Sequence, residues 1–171
     1  TVWAYEYTGY APGDNRTDAS EATLLDDADT IGSHVKRICS ASGGALVIYG
    51  RSLGCSPAIH MAGELSPAAL VLESPFLTVI AAYTGLRIAK SVLRPFDHFH
   101  NIDDIHNNVR CPLLVLHGSE DAIVPYEQGR ILYESYPYDK QFVTVEGAGH
   151  NDLHTQELVE QHVKPFLASQ R

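Results

Sequence analysis

Apolar residues along the chain form two kinds of run: short stretches typical of strands, and longer stretches in which apolar positions recur every three or four residues. Strand-like runs occupy residues 2–7, 45–49, 68–73, 111–117 and 141–145. Most are rich in large and β-branched apolar residues, as expected for strands covered on both faces. Alternation of such strands with helices predicts an α/β fold with a mostly parallel sheet, right-handed crossovers and helices on both faces.

Helical periodicity separates most of these strands. Apolar positions between Leu24 and Ile38 recur at steps of three and four, and Asp18 and Glu21 have the spacing of a capping box at the start of that helix. Further helices are predicted over residues 56–65, 101–108, 126–136 and 152–167, the last with a bend near Pro165.

Residues 76–100 interrupt this regular alternation and contain a helix-like patch over 77–92. We expect this part of the single domain, which spans residues 1–171, to form a short cap-like insertion over the carboxyl ends of the strands. Plain core packing is the alternative role for its large side chains. The candidate substrate-binding residues are Phe76, Tyr83, Leu86, Phe96 and Phe99.

The strand-like run over 45–49 leads directly into Gly50-Arg51-Ser52-Leu53-Gly54. This Gly-x-Ser-x-Gly pattern is the sequence form of a nucleophile elbow, in which a tight turn raises the serine above the sheet at a helix N-terminus. Ser52 is therefore the predicted nucleophile. A glycine-flanked turn with a chemically idle serine is the competing interpretation.

A serine hydroxyl needs a base, and that base needs a carboxylate that orients it. In this fold the partners are expected in the order serine, acid, histidine, each after a later strand. Asp121 follows the run over 111–117, and His150 follows the run over 141–145. Asp121 is the predicted acid, with Glu120 as a rival and helix capping as an alternative role, and His150 is the predicted base.

Composition argues against several other classes of protein. The chain has 171 residues, 44% of them hydrophobic, and a formal net charge of −9, which disfavours nucleic acids and anionic membrane surfaces as main partners. Its three cysteines are widely spaced, which argues against a disulfide framework or a thiolate metal site. His98 and His100 form a close pair without a third ligand at a recognisable spacing. We expect no metal, no cofactor and no transmembrane segment.

Several blocks, collinear over nearly the whole chain, resemble the α/β-hydrolase superfamily. They are Tyr5-Glu6-Tyr7-Thr8-Gly9-Tyr10, Ile48-Tyr49-Gly50-Arg51-Ser52-Leu53-Gly54, Glu73-Ser74-Pro75-Phe76, Phe96-Asp97 with Asn101-Ile102-Asp103, Leu116-His117-Gly118-Ser119-Glu120-Asp121 and Val145-Glu146-Gly147-Ala148-Gly149-His150-Asn151-Asp152. The last is the most specific, and together they resemble the α/β-hydrolase domain-containing protein 17 group, which are serine thioesterases that remove palmitoyl groups from protein cysteines. The elbow also resembles the related number 13 group.

This resemblance implies an α/β-hydrolase fold and a triad of Ser52, Asp121 and His150, with the backbone N–H of Leu53 as one oxyanion donor. It implies hydrolysis of acyl esters or thioesters, with S-palmitoylated proteins as possible substrates. A serine peptidase or carboxylesterase has the same triad, and an inactive α/β-hydrolase-like binding protein is a third interpretation.

The resemblance also implies that the domain is incomplete. Members of the superfamily have strands and a His-Gly-type loop before the Tyr-x-Tyr-x-Gly-Tyr block, whereas this chain begins at that block. We therefore expect an N-terminally truncated fold without the second oxyanion donor. The expected location is cytoplasmic, with membrane association in a full-length form.

Overall fold

The computed structural model describes residues 1–10, 19–84, 97–153 and 155–170. Within them lies a four-stranded sheet in the order β1-β2-β3-β4, and every neighbouring pair is parallel. The strands are β1 (Val47–Arg51), β2 (Ala69–Glu73), β3 (Leu113–Gly118) and β4 (Lys140–Val145). Their carboxyl ends therefore meet at one edge of the sheet, which we call the carboxyl edge.

Helices connect the strands and cover both faces of the sheet, which confirms the predicted α/β class. They are α1 (Glu21–Ser42), α2 (Cys55–Leu65), α3 (Val79–Thr84), α4 (Asn101–Asn108), α5 (Tyr126–Ser135), α6 (Gln156–Leu158) and α7 (Lys164–Ala168). A 3₁₀ turn over Ser52–Gly54 joins β1 to α2, and a π-helical segment over Val159–Val163 joins α6 to α7. None of the described helices combines the length and apolar character that crossing a membrane requires.

Alternate residues of the strands build two cores on opposite faces of the sheet, as the period of two in a strand requires. One face packs against α2, α4 and α5 and includes Ile48, Leu70, Leu72, Leu113 and Val115. The other face packs against Val163 and Phe166 and includes Ala69, Val71, Leu114, Leu116 and Val143. Val47 and Tyr49 of β1 are exposed on that second face. Burial on both faces of β2 and β3 explains their continuous apolar runs.

The predicted strand over residues 2–7 is wrong, because this segment contains no strand in the structure. It lies beside α1 instead: the rings of Trp3 and His34 meet edge-on at 5.9 Å. The backbone N–H and the hydroxyl of Thr8 donate to Asp27 at 2.6 and 2.9 Å. The alternating aromatic pattern reflects local propensity, whereas a strand also needs a partner for its backbone groups.

The cap of α1 also differs from the prediction. Ser20 is the N-cap: its hydroxyl accepts the N–H of Thr23, and the Thr23 hydroxyl accepts the N–H of Ser20. Asp18 lies outside the described residues, and the Glu21 carboxylate binds His98 and the backbone N–H of Phe99. A reciprocal pair of hydroxyl bonds thus takes the role expected of the carboxylate.

The last helix begins at Gln156, later than predicted, because the Thr155 hydroxyl caps it by accepting the N–H of Leu158 at 3.2 Å. A π-helical segment, not a simple bend, then precedes Pro165. Proline cannot donate to the preceding turn, and a wider turn accommodates that loss. Of the predicted helix over 77–92, α3 covers Val79–Thr84, and residues 85–92 lie outside the described residues.

Candidate active site

Ser52 lies at the carboxyl edge, where β1 turns sharply into α2. Its φ of 50° is in the left-handed region, which is strained for a residue other than glycine. Gly50 permits the turn, because a Cβ there would lie 2.6 Å from Ala58 Cβ and 2.6 Å from the Gly54 carbonyl oxygen. Close packing of strand on helix therefore holds the serine in its raised position.

The structure brings together the three side chains that the sequence predicted as a triad. His150 Nε2 lies 3.0 Å from Ser52 Oγ, and His150 Nδ1 lies 2.7 Å from Asp121 Oδ2. The Asp121 side chain is fully buried, and that of His150 is 8% exposed. Both hydrogen bonds have the lengths expected of a serine–histidine–carboxylate relay in its resting state.

Asp121 is held in its ionised form. Burial raises the pKa of its carboxyl, but hydrogen bonds from His150 and from backbone N–H groups, including that of Val124, outweigh burial, so that the pKa lies below its usual range. An ionised Asp121 accepts a hydrogen bond from the Nδ1–H of His150, which leaves Nε2 without a hydrogen and able to accept the Ser52 proton. Glu120, the rival acid, is exposed, and its N–H bonds the Ala148 carbonyl at 3.0 Å.

His117, a residue without an assigned role in the sequence analysis, lies directly beneath Asp121. Its ring is fully buried, with Nε2 3.0 Å from the Val124 carbonyl oxygen and 3.5 Å from Asp121 Oδ2. Burial lowers its pKa, so the ring is neutral near pH 7, with Nε2–H donating to Val124. Gly129 allows α5 to approach, because a Cβ there would lie 2.2 Å from His117 Nδ1. The sequence signal is a histidine at the end of an apolar strand.

The loop that carries His150, residues 146–152, is anchored to the end of β3. The Ser119 hydroxyl accepts the N–H of Gly147 at 2.8 Å, and the Glu120 N–H donates to the Ala148 carbonyl. Gly118 permits this close approach, because a Cβ there would lie 2.2 Å from the Ala148 carbonyl oxygen. The position of His150 thus depends on hydrogen bonds to the two residues that directly follow β3.

The ion pair of Arg51 and Glu73 at the carboxyl edge also had no assigned role in the sequence analysis. Arg51 Nε donates to Glu73 Oε1 at 2.8 Å, and the Tyr49 hydroxyl donates to Glu73 Oε2. Arg51 Nη2 donates to the His150 carbonyl at 3.1 Å and to Asn151 Oδ1 at 2.6 Å. Opposite charges at the last positions of two successive apolar strands are the sequence signal that could have indicated this pair.

A cavity of about 340 Å³ lies beside the elbow. Its lining residues are Tyr10, Ala19, Ser20, Glu21, Leu24, Leu53, Val79, His98 and Phe99. Phe99 has a φ of 55°, and its N–H donates to Glu21 Oε1 at 2.8 Å. Leu53 is the second residue of the 3₁₀ turn, and N–H groups in the first turn of a helix have no partner within it. An apolar-lined cavity therefore borders the residue predicted to bind the oxyanion.

The predicted pocket residues fall into two groups. Phe99 lines the cavity. Phe76 is buried and packs edge-on against the Phe99 ring, with the two ring centroids 6.4 Å apart. The Tyr83 side chain, Leu86 and Phe96 lie outside the described residues.

A wider groove of about 950 Å³ lies between α1 and α2 and contains none of the triad residues. Among the described residues, no group of three or more His, Cys, Asp or Glu side chains is arranged to hold a metal ion.

Comparison with known proteins agrees with this architecture. Residues 87–157 match the family described as serine aminopeptidase, S33. A thermophilic esterase from Thermogutta terrifontis superimposes with a TM-score of 0.68 at 20% identity, covering 96% of this chain and 78% of that one. A monoacylglycerol lipase from Paleococcus ferrophilus gives a TM-score of 0.63 at 19% identity, covering 96% and 80%. The chain has the α/β-hydrolase fold.

In sequence, the chain is similar to one particular group of α/β-hydrolase domain-containing proteins. It is 32% identical over 170 residues to α/β-hydrolase domain-containing protein 17C of Mus musculus, covering 98% of this chain and 50% of the relative. The chain thus spans about half the length of the curated relatives that it matches. This similarity agrees with the motif blocks that resemble the number 17 group.

Proposed function

We propose that the protein is a serine hydrolase of acyl esters or thioesters, with Ser52 as nucleophile, His150 as base and Asp121 as the group that orients the base. The observation that carries this proposal is the continuous pair of hydrogen bonds from Asp121 through His150 to Ser52. Sequence similarity to α/β-hydrolase domain-containing protein 17C and the esterase and lipase folds that superimpose on the chain support hydrolysis.

In the first half of the reaction, His150 Nε2 removes the Ser52 proton while Oγ attacks the carbonyl carbon of the substrate. The carbonyl oxygen becomes negatively charged and accepts a hydrogen bond from the Leu53 backbone N–H. Asp121 stabilises the imidazolium that forms. The intermediate then expels an alcohol or thiol, which takes the proton from His150, and the acyl group stays on Ser52.

In the second half, water replaces the leaving group. His150 Nε2 removes a proton from the water, whose oxygen attacks the acyl carbon and forms a second tetrahedral intermediate. Its collapse breaks the bond to Ser52 Oγ, and His150 returns the proton to that oxygen. The products are a carboxylic acid and the free enzyme.

We propose an acyl chain as the substrate group in the cavity beside Leu53. Leu24, Val79 and Phe99 supply an apolar lining, as a site for a hydrocarbon chain requires. Among acyl substrates we propose a palmitoyl thioester on a protein cysteine, which the resemblance to the number 17 group supports.

Peptide hydrolysis is a second candidate, favoured by the match of residues 87–157 to the serine aminopeptidase family. The same triad serves ester, thioester and amide substrates, so the leaving group must be tested separately. An acyl-chain substrate is preferred because the cavity beside the elbow is lined mainly by apolar side chains.

Hydrolysis of p-nitrophenyl esters and acyl thioesters, with chains of increasing length, tests the proposal, with aminoacyl p-nitroanilides in parallel. We expect ester and thioester turnover that Ser52→Ala abolishes, and kcat/KM that rises with chain length. Faster anilide turnover would replace the acyl proposal with the peptidase one. Absence of Ser52-dependent turnover on every substrate would contradict both and favour a non-catalytic binding protein.

A further inference from the structure

We propose that Arg51 is a positioning residue for His150. Its guanidinium binds the loop of residues 146–152 to the end of β1. This contact keeps the His150 ring within hydrogen-bonding distance of Ser52, the residue that directly follows Arg51. This inference rests on the proposed serine hydrolase function and names a residue on which that site depends.

One side-chain nitrogen of Arg51 contacts the loop at two successive residues. Nη2 donates to the His150 carbonyl oxygen at 3.1 Å and to Asn151 Oδ1 at 2.6 Å. The first acceptor belongs to the backbone of the base itself. Any displacement of the guanidinium therefore acts directly on the residue whose ring must reach Ser52.

Glu73 fixes the other side of the guanidinium. Arg51 and Glu73 are register partners at the ends of β1 and β2, and Nε lies 2.8 Å from Oε1. The Glu73 side chain is fully buried, and a buried carboxylate needs a countercharge and further donors. The Tyr49 hydroxyl supplies a second donor, and partial burial together with the hydrogen bond to Glu73 raises its pKa, so that it stays protonated. The buried Glu73 carboxylate thus fixes the position of the Arg51 guanidinium.

Only a planar fork of donors can contact both the buried carboxylate and the loop at once. Arginine offers Nε to one partner and Nη2 to the other, whereas lysine offers a single ammonium group. The contacts of Ser119 and Glu120 anchor the loop to β3, and those of Arg51 anchor it to β1. With one anchor removed, the His150 ring is free to shift relative to Ser52.

The expected effect is on catalysis more than on binding. A displacement of about 1 Å in a catalytic group can cost about 10²-fold in rate. We expect kcat of Arg51→Ala to fall by about 30-fold to 100-fold, with KM changed by less than about threefold. Arg51→Lys should lose most of the same activity, and Asn151→Ala, which removes one acceptor, should lose only about two-fold to five-fold.

The experiment measures kcat, KM and the rate constant for modification by a fluorophosphonate probe in these three variants and in Arg130→Ala. Arg130 is the matched control, because it forms an exposed pair with Glu134 at 2.9 Å on α5, away from the triad. Its removal should leave every rate at the wild-type value. Melting temperature is measured for each variant, so that loss of fold is separated from loss of position.

A second readout separates positioning from general stability. Millimolar guanidinium should restore part of the labelling rate of Arg51→Ala without changing its melting temperature, and should not accelerate the wild type or Arg130→Ala. If Arg51→Ala does not fold, kcat, KM and the labelling rate of Arg51→Lys decide whether Arg51 positions His150.

The inference and the function on which it rests fail in different ways. A folded Arg51 variant with wild-type kcat and labelling rate would overturn the positioning role and leave the hydrolase proposal intact. A wild-type protein that the probe never labels would instead overturn the proposed function.

Discussion

Asp121 and Glu73 are both buried carboxylates at the carboxyl edge of the sheet, yet their partners differ. Asp121 follows β3 and accepts hydrogen bonds from two backbone N–H groups and from the His150 ring. Glu73 ends β2 and faces the Arg51 guanidinium, whose charge is permanent. A partner that can gain and lose a proton suits chemistry, whereas a permanently charged partner suits a fixed support. Similar burial therefore serves two different purposes.

The two carboxylates should differ most in how strongly their replacement lowers enzyme activity, with by far the larger loss at Asp121. In Asp121→Asn, an amide faces Nδ1 of His150 and favours the wrong tautomer of the ring, so we expect kcat to fall by about 10⁴-fold. Steady-state turnover of an acyl ester measures it. Glu120→Gln, at the exposed neighbouring carboxylate, is the control and should keep nearly all activity. Wild-type turnover in Asp121→Asn would remove Asp121 from the mechanism.

Gly118→Ala should have the next largest effect, because it disturbs the loop beside Asp121 without changing a polar group. The new Cβ would lie 2.2 Å from the Ala148 carbonyl oxygen, so the loop that carries His150 must move. We expect a loss of about 10² in kcat and of about 1–3 kcal/mol in the free energy of unfolding.

Gly44→Ala provides the matched control for that variant. The nearest atom to a Cβ at Gly44 is the Ser42 hydroxyl at 3.3 Å, beyond the end of α1. Turnover and urea denaturation of both variants check the prediction. Equal activity in the two would show that the loop tolerates displacement.

Glu73→Gln should affect stability more than chemistry. It removes the charge that the Arg51 guanidinium faces while keeping the shape of the side chain, and we expect a loss of about 2 kcal/mol in the free energy of unfolding. Glu134→Gln, in the exposed pair with Arg130, should change it by less than about 0.5 kcal/mol. Urea denaturation measures both. A Glu73→Gln protein as stable as the wild type would mean that the buried pair is not a support.

The smallest expected effect is on the pH dependence of stability, through His117. Its pKa is lowered in the folded protein, so the unfolded chain binds a proton first, and stability falls as the pH drops below about 6.5. Asp121, whose pKa is also lowered, adds a further loss below about pH 4. We expect His117→Gln to flatten the slope just below pH 6.5, by at most about 1 kcal/mol per pH unit.

Urea midpoints from pH 7 to pH 4 measure that slope. His34→Gln, at an exposed histidine on α1, is the control and should keep the wild-type slope. A His117→Gln protein with the wild-type slope would show that His117 takes up its proton at the same pH folded and unfolded.

Local patterns were enough to predict most of the sheet. β2 is apolar up to Glu73 and β3 is apolar up to His117 because helices cover both faces of these strands, and such runs are visible in the sequence. The positions of Asp121 and His150 followed from chemistry, because a nucleophilic serine needs its partners at the carboxyl ends of later strands. Their catalytic roles stay predictions that kinetics must test.

Long-range pairing explains what the sequence did not reveal. Residues 2–7 have strand propensity, but propensity does not supply a neighbouring strand. The contact between Arg51 and Glu73 depends on the register of β1 against β2, which the pattern of apolar positions does not specify on its own. The same holds for Arg51 and His150, whose contact joins distant parts of the chain across the carboxyl edge.

We infer that the hydrogen bond to His150, whose ring Asp121 orients, makes the Ser52 hydroxyl nucleophilic. Mass spectrometry of the protein after treatment with a fluorophosphonate, followed by peptide mapping, tests it most directly. We expect one adduct per chain, on Ser52, absent in Ser52→Ala and formed far more slowly in His150→Ala. An unmodified Ser52, or labelling that is equally fast without His150, would contradict it.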